Sequence, residues 1–344
     1  MGTNGYLEWA IRNTKTSWWH DSADPAELQL GLDRGAVGVT TNPFLSNVAL
    51  RDNRELWHEQ IDAVLSQNLD KGAKAESLMR IAVTSAASMV QPEYDRSSGE
   101  RGYVCAQVNP ARQGDRDVML PMAKRFHDWA PNIAVKLPAT AAGLDVLEEC
   151  AAEGITTALT VSFTVPQTVA IGERHRAGVE RARAKGVQPG RCYAVIMIGR
   201  LDDYLRDVVH DSAAEIGESD IQRAGLAVTK RAYSIYKERG YTAELLVAAL
   251  RGDYHMTELT GADLIMSIHP KSQGSLVAKG LPEEERIDVP VPDSVIERLN
   301  RLPEFVRAYE PDGMEPNEFI GYGATQRTLT QFLEVGWKLL EGFK

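Results

Sequence analysis

Apolar residues fall along this chain in short runs, separated by longer stretches in which they recur with helical spacing. Eight runs read as strands: residues 16–20, 36–41, 103–108, 133–136, 157–163, 191–198, 243–250 and 262–268. Helical patterns lie between them. One opens at Asp24-Pro25 and runs through Gly31. A long one covers 47–89, with a break near Lys71-Gly72. Others cover 115–129, 141–153, 166–185 and 224–239. A helical pattern at 6–12 precedes the first strand, and an amphipathic helix at 324–343 closes the chain. The polar segment 93–102, EYDRSSGERG, reads as a loop. Residues 271–312 are richer in proline and charge and read as a loop with short helices. Asp21-Ser22, Asn42-Pro43 and Asn109-Pro110 end the first three strands. Pro138 is expected to end the fourth, because proline cannot continue a central ladder.

Strands alternating with helices imply a parallel β/α architecture. Eight of them fit a closed (β/α)8 TIM barrel, here one domain over 1–344 with an N-terminal helix and a C-terminal extension at 271–344. A doubly wound sheet is the rival, and no Gly-x-Gly-x-x-Gly loop supports it. A barrel would gather the strand ends into one rim, where active sites of this fold lie. Asp21, Asn42, Gln107, Lys136 and Thr160 fall at or near strand ends, and Arg200 and Arg251 follow the sixth and seventh strands.

Lys136 stands out. It closes the apolar run of NIAVKLPAT (132–140), and a lysine at the tip of a buried strand is costly unless it has a purpose. Burial favours an uncharged amine, and an uncharged amine attacks carbonyls to form Schiff bases. A lysine that snorkels to water is the plainer alternative.

Composition narrows the partners. The formal charge of -10 argues against nucleic acid, although a local pair of arginines can still hold a phosphate. Three cysteines, with no close pair and no zinc spacing, read as reduced core thiols. The N-terminus shows no signal-peptide pattern, and no apolar run approaches the roughly 20 residues of a membrane span. A cytoplasmic protein without a membrane partner is expected, and a homo-oligomer stays open. His20, His255 and His269 fall near the expected rim, but without His-x-x-x-His or His/carboxylate spacing no metal or other cofactor is expected.

The motifs TTNP (40–43), VKLPAT (135–140), GITTALT (154–160) and GRLDD (199–203) occur in an order and spacing that resembles the transaldolase family of class I aldolases. The resemblance runs from Ser17 to about Pro270. It implies that Lys136 forms the Schiff base and that Asp21 moves a proton at the C4 hydroxyl. It implies that Thr160 holds a catalytic water, which Gln107 can position but not deprotonate, that Asn42 orients substrate hydroxyls, and that Arg200 and Arg251 bind phosphate. The implied reaction moves a dihydroxyacetone unit from a ketose phosphate to an aldose phosphate, as in the pentose phosphate pathway. Gln107 departs from the glutamate of long transaldolases and resembles the short fructose-6-phosphate aldolases. Those release free dihydroxyacetone, which is the alternative activity, but they lack an equivalent of the extension at 271–344. Val195 and Ala249 stand where longer members carry serines, and Met197 where the short aldolases carry a tyrosine. A non-catalytic sugar-phosphate binder is a third reading, opposed by the joint presence of Lys136, Asp21 and Asn42.

Overall fold

The computed structural model describes residues 5–344. Eight parallel strands close into a barrel in sequence order. They are β1 (Ser17–His20), β2 (Gly38–Val39), β3 (Tyr103–Gln107), β4 (Ile133–Pro138), β5 (Thr157–Thr160), β6 (Cys192–Met197), β7 (Glu244–Ala248) and β8 (Ile265–Ile268). All eight expected strands are present, and β8 closes on β1 through the pairs Ser17 with Ile265 and His20 with Ile268. The side chains filling the lower barrel are aromatic. Trp19 and Tyr103 both pack edge-on against Tyr193, with ring centroids 4.6 and 5.9 Å apart. Gly38 makes this possible, since a Cβ there would lie 2.5 Å from the Trp19 ring.

Helices fill the outer layer, and short polar side chains start several of them. Asp24, Asn42, Asp70, Asp115, Thr140 and Thr164 each accept the backbone N–H three residues on, as N-caps do. Among the described residues, no helix is long and apolar enough to cross a membrane.

Several boundaries differ from the sequence expectation, each for a local reason. Pro138 belongs to β4, where it pairs with Thr160 of β5. Val135 and Ala139 donate toward β5, so the N–H that proline lacks would face β3, which has already ended at Gln107. No ladder bond is lost. β5 and β7 are shorter than expected because Val161 and Ala249 turn the chain at φ of 56° and 59°. The helical region expected from 47, with a break near Lys71-Gly72, is three helices, Pro43–Asp52, His58–Leu65 and Lys71–Arg96: the expected break falls just before Lys71, and a further one separates Asp52 from His58. The last runs through Pro92 and takes in residues 93–96, expected as loop. The helix Ile198–Ser212 had no counterpart in the sequence expectation, although Leu201 and Leu205 bury one face at helical spacing. The terminal helix is interrupted. Gly323–Phe332 passes into a π-helical turn, Leu333–Trp337, before Lys338–Glu341.

His20 points out of the barrel into this layer and is fully buried. Its Nδ1 accepts from Gln273 Nε2 at 3.0 Å, so the ring proton sits on Nε2, which has no partner among the described residues. Burial, with repulsion from His269 next, depresses its pKa to about 4. An unfolded chain binds this proton near pH 6.5 and the folded one does not, so stability falls as pH drops from about 6.5 to about 4 and the loss is complete below that. Between pH 7 and pH 5 the expected cost is about 2 kcal/mol. Urea unfolding of the parent and His20→Gln at both pH values checks this, the variant being expected to lose less across the interval.

Candidate active site at the barrel mouth

Five of the residues singled out in the sequence lie around the C-terminal rim. Lys136 is on β4, in register with Gln107 on β3. Both are buried, at 6% and 3% exposure. Lys136 Nζ donates to the Thr41 carbonyl at 3.3 Å and, among the described residues, has no carboxylate partner. Gln107 Oε1 is buried and, among the described residues, has no hydrogen-bond partner, an acceptor left for something that enters the mouth.

Asp21 follows β1, its N–H held by the Ile268 carbonyl at 3.1 Å. Thr40 Oγ1 donates to Asp21 Oδ1 at 2.7 Å and lies 2.6 Å from Ser267 Oγ. The one proton of Thr40 is committed to the carboxylate, so Ser267 must donate to Thr40. The result is a directed chain, Ser267 to Thr40 to Asp21, which holds the carboxylate in one orientation.

Asn42 performs the capping role that its Asn-Pro context implies. Its Oδ1 accepts from Leu45 N at 3.0 Å, which leaves the amide NH2 to face a ligand as donor. Thr160 is buried, and its Oγ1 donates to the Met197 sulfur at 3.7 Å. A thioether is a weak acceptor, so this hydroxyl is readily redirected to water or substrate. Ser162 Oγ donates to the Val195 carbonyl.

Arg200 and Arg251 meet in a neighbouring cleft of about 590 Å³, whose wall also holds Asp203, Arg206, Arg327 and Gln331. Neither Lys136 nor Asp21 belongs to that wall, so the rim has a strand-end part and an arginine part. Arg200 donates from Nη1 to Gln331 Oε1 at 2.5 Å and stacks over the Phe332 ring. Its Nε is buried with no partner among the described residues. Burial first, and repulsion from Arg251 second, lower its pKa to about 10. Arg251 is more committed. Nε and Nη2 donate to Asp203 Oδ2 at 3.0 and 2.7 Å, and Nη1 donates to the Ala249 carbonyl at 2.9 Å. One N–H remains on each terminal nitrogen, a pair that suits two oxygens of one anion.

Sequence reasoning did not find Gln331 or Arg327. They reach this cleft from the helix Gly323–Phe332, and the only signal in the sequence was that helix's amphipathic stripe. The roles of Thr40 and Ser267 beside Asp21 were also missed, because they depend on which strands the barrel brings together. Among the described residues, no three His, Cys, Asp or Glu side chains cluster as metal ligands do.

Comparison with known proteins adds an independent line. The family model described as transaldolase/fructose-6-phosphate aldolase matches residues 18–310. The chain is 29% identical over 241 residues to a transaldolase of Mycolicibacterium paratuberculosis, covering 67% of this chain and 64% of that protein. It is 29% identical over 207 residues to transaldolase 1 of Streptomyces avermitilis, covering 59% and 54%. With a transaldolase of Thiobacillus denitrificans it is 26% identical over 310 residues, covering 83% and 84%. The chain thus spans 64% and 54% of the first two relatives and most of the third.

Proposed function

The chain belongs to the transaldolase/fructose-6-phosphate aldolase family, and from that premise we propose that it transfers a dihydroxyacetone unit between sugar phosphates through a Schiff base on Lys136. The observation that carries the reading is Lys136 itself: buried at the barrel mouth, held by one backbone carbonyl, and without a carboxylate partner among the described residues. An amine placed this way is free to add to a ketose carbonyl.

The chemistry follows in order. Lys136 Nζ adds to C2 of the ketose, and loss of water leaves a cationic iminium. Asp21, oriented by Thr40, takes the proton of the C4 hydroxyl. The C3–C4 electron pair flows into the iminium, the aldose phosphate leaves, and a three-carbon enamine stays on Lys136. The enamine then attacks an aldose phosphate, and the same steps run in reverse. Thr160 and Gln107 suit the handling of the water lost and regained, since each has hydrogen-bonding capacity that no strong protein partner uses. The amide NH2 of Asn42 suits a substrate hydroxyl. Arg200, bonded to neutral Gln331 and to no carboxylate among the described residues, and the free N–H pair of Arg251 suit a phosphate dianion. Incubation with fructose 6-phosphate and a phosphorylated aldose tests this. A new ketose three carbons longer than the acceptor is expected. No such product from any phosphorylated donor and acceptor pair would sink the reading.

Gln107 favours a second reading, an aldolase that releases free dihydroxyacetone, because glutamine also stands there in the short aldolases that this chain resembles.

Arg200 yields a separate prediction. Loss of one charge-assisted partner costs about 1.5–3 kcal/mol, roughly ten- to a hundredfold. Arg200→Ala is expected to raise KM for a phosphorylated ketose by that factor and to leave an unphosphorylated donor within about threefold. Steady-state kinetics with both donors measure it, and equal losses would make Arg200 structural.

A further inference from the structure

We propose that Asp202 and His255 form a buried positioning pair that fixes the loop carrying Arg251 against the helix carrying Arg200. The inference rests on the phosphate role given above to the two arginines. Both side chains of the pair are completely buried, and His255 Nε2 lies 3.0 Å from Asp202 Oδ2. The other ring nitrogen, Nδ1, accepts the backbone N–H of Arg251 at 3.1 Å. The other carboxylate oxygen, Oδ1, accepts the backbone N–H of Gly225 at 2.8 Å. Since Nδ1 accepts, the proton is on Nε2 and points to Asp202.

The polarity of this chain is therefore set from end to end. Gly225 N–H meets one oxygen of Asp202, His255 Nε2–H meets the other, and Arg251 N–H meets His255 Nδ1. Asp202 lies two residues after Arg200 on the helix Ile198–Ser212. His255 lies four residues after Arg251, on the short helix Asp253–Thr257. The pair thus ties together the two segments that carry the two guanidinium groups. The segments also touch directly, because a Cβ on Gly199 would lie 2.4 Å from both the Ala249 carbonyl and Arg251 Cγ. Ala249 itself takes a φ of 59° at the end of β7, a conformation that needs its surroundings to hold it. A carboxylate sealed from water is costly, and here Oδ1 is spent on the Gly225 N–H while Oδ2, through His255, is spent on the loop that carries Arg251.

Asp202→Asn reverses the polarity without changing the shape. The new amide oxygen keeps Gly225 N–H, so its NH2 faces His255 Nε2. That nitrogen must then accept, the ring proton moves to Nδ1, and Nδ1–H confronts the N–H of Arg251. Two donors cannot share that 3.1 Å contact, so the backbone at Arg251 moves and the phosphate grip loosens.

The experiment compares Asp202→Asn, Arg251→Ala and the parent, each with a phosphorylated and an unphosphorylated ketose donor. Nitrogen-15 NMR of the imidazole rings is recorded alongside. For Asp202→Asn the expected result is a KM ratio, phosphorylated over unphosphorylated, raised about tenfold, with His255 switched to the Nδ1–H tautomer. Loss of packing alone would lower the melting temperature but would leave that ratio in place. In the parent, titration with inorganic phosphate is expected to shift the His255 Nε2 proton, a readout that does not depend on the variant folding. A raised ratio in Arg251→Ala with an unchanged ratio in Asp202→Asn overturns the positioning role, as does a phosphate titration that leaves the His255 resonance still. An unchanged ratio in Arg251→Ala removes the phosphate reading itself, and the inference falls with it.

Discussion

Lys136→Ala is expected to lose turnover with every ketose donor, by about 10⁴-fold or more, the scale on which covalent nucleophiles fail when deleted. The size of the effect follows from chemistry and not from packing. The other rim side chains described above, Asp21, Asn42, Gln107 and Thr160, carry no amine, so without Lys136 the iminium that drains electrons from the C3–C4 bond cannot form. The fold is expected to survive, because Lys136 contributes one hydrogen bond, to the Thr41 carbonyl at 3.3 Å, and pairs with no carboxylate among the described residues. The register of β4 with β3 and β5 is carried by backbone groups that the substitution leaves in place. Reduction of the parent with borohydride in the presence of fructose 6-phosphate, followed by peptide mapping, is expected to place a three-carbon adduct on Lys136. An adduct on another lysine, or none with any ketose phosphate, would mean that the chemistry begins elsewhere. Circular dichroism and a melting curve of Lys136→Ala separate lost chemistry from lost structure.

Met197→Tyr is expected to shift the fate of the enamine from transfer toward release. Release requires protonation of the enamine carbon and then hydrolysis of the iminium, whereas transfer requires the enamine to wait for an aldehyde. The partition depends on a proton donor at the mouth. Met197 ends β6, and its sulfur accepts the hydroxyl of Thr160 at 3.7 Å. A thioether has no proton to give, and neutral Gln107 is a poor acid. Transfer is therefore expected to outpace release of free dihydroxyacetone in the parent. A phenol at 197 would add an acid beside Thr160, and a positioned acid is typically worth ~10²–10⁴-fold. Both products are assayed with and without an acceptor aldehyde. If the parent makes free dihydroxyacetone as fast as it transfers the unit, the aldolase reading of Gln107 prevails. The site is tight, with Met197 only 6% exposed, so the variant's melting temperature is measured first to exclude overpacking.

Much of this protein was legible from local pattern. Short apolar runs and the Gly, Pro and Asn breaks that bound them located all eight strands, and the eight-fold alternation with helices implied the barrel that closes in sequence order. Barrel closure then placed Asp21, Asn42, Gln107, Lys136 and Thr160 on one rim. These features rest on backbone sterics and side-chain alternation, which act over a few residues.

What depends on chain partners far apart was decided only by the tertiary structure. Pro138 stays in its strand because β3 has already ended beside it. The Asn42 oxygen is spent on Leu45 N, so a side chain that could both accept and donate is left as a donor. Arg251 is held by Asp203, and Arg200 meets Gln331 across 131 residues of chain. Asp202 and His255, 53 residues apart, are buried against each other, and Ser267 reaches Asp21 through Thr40. No local rule predicts such pairs, because which side chains meet is set by how the barrel closes and by where the terminal helix lies across its mouth.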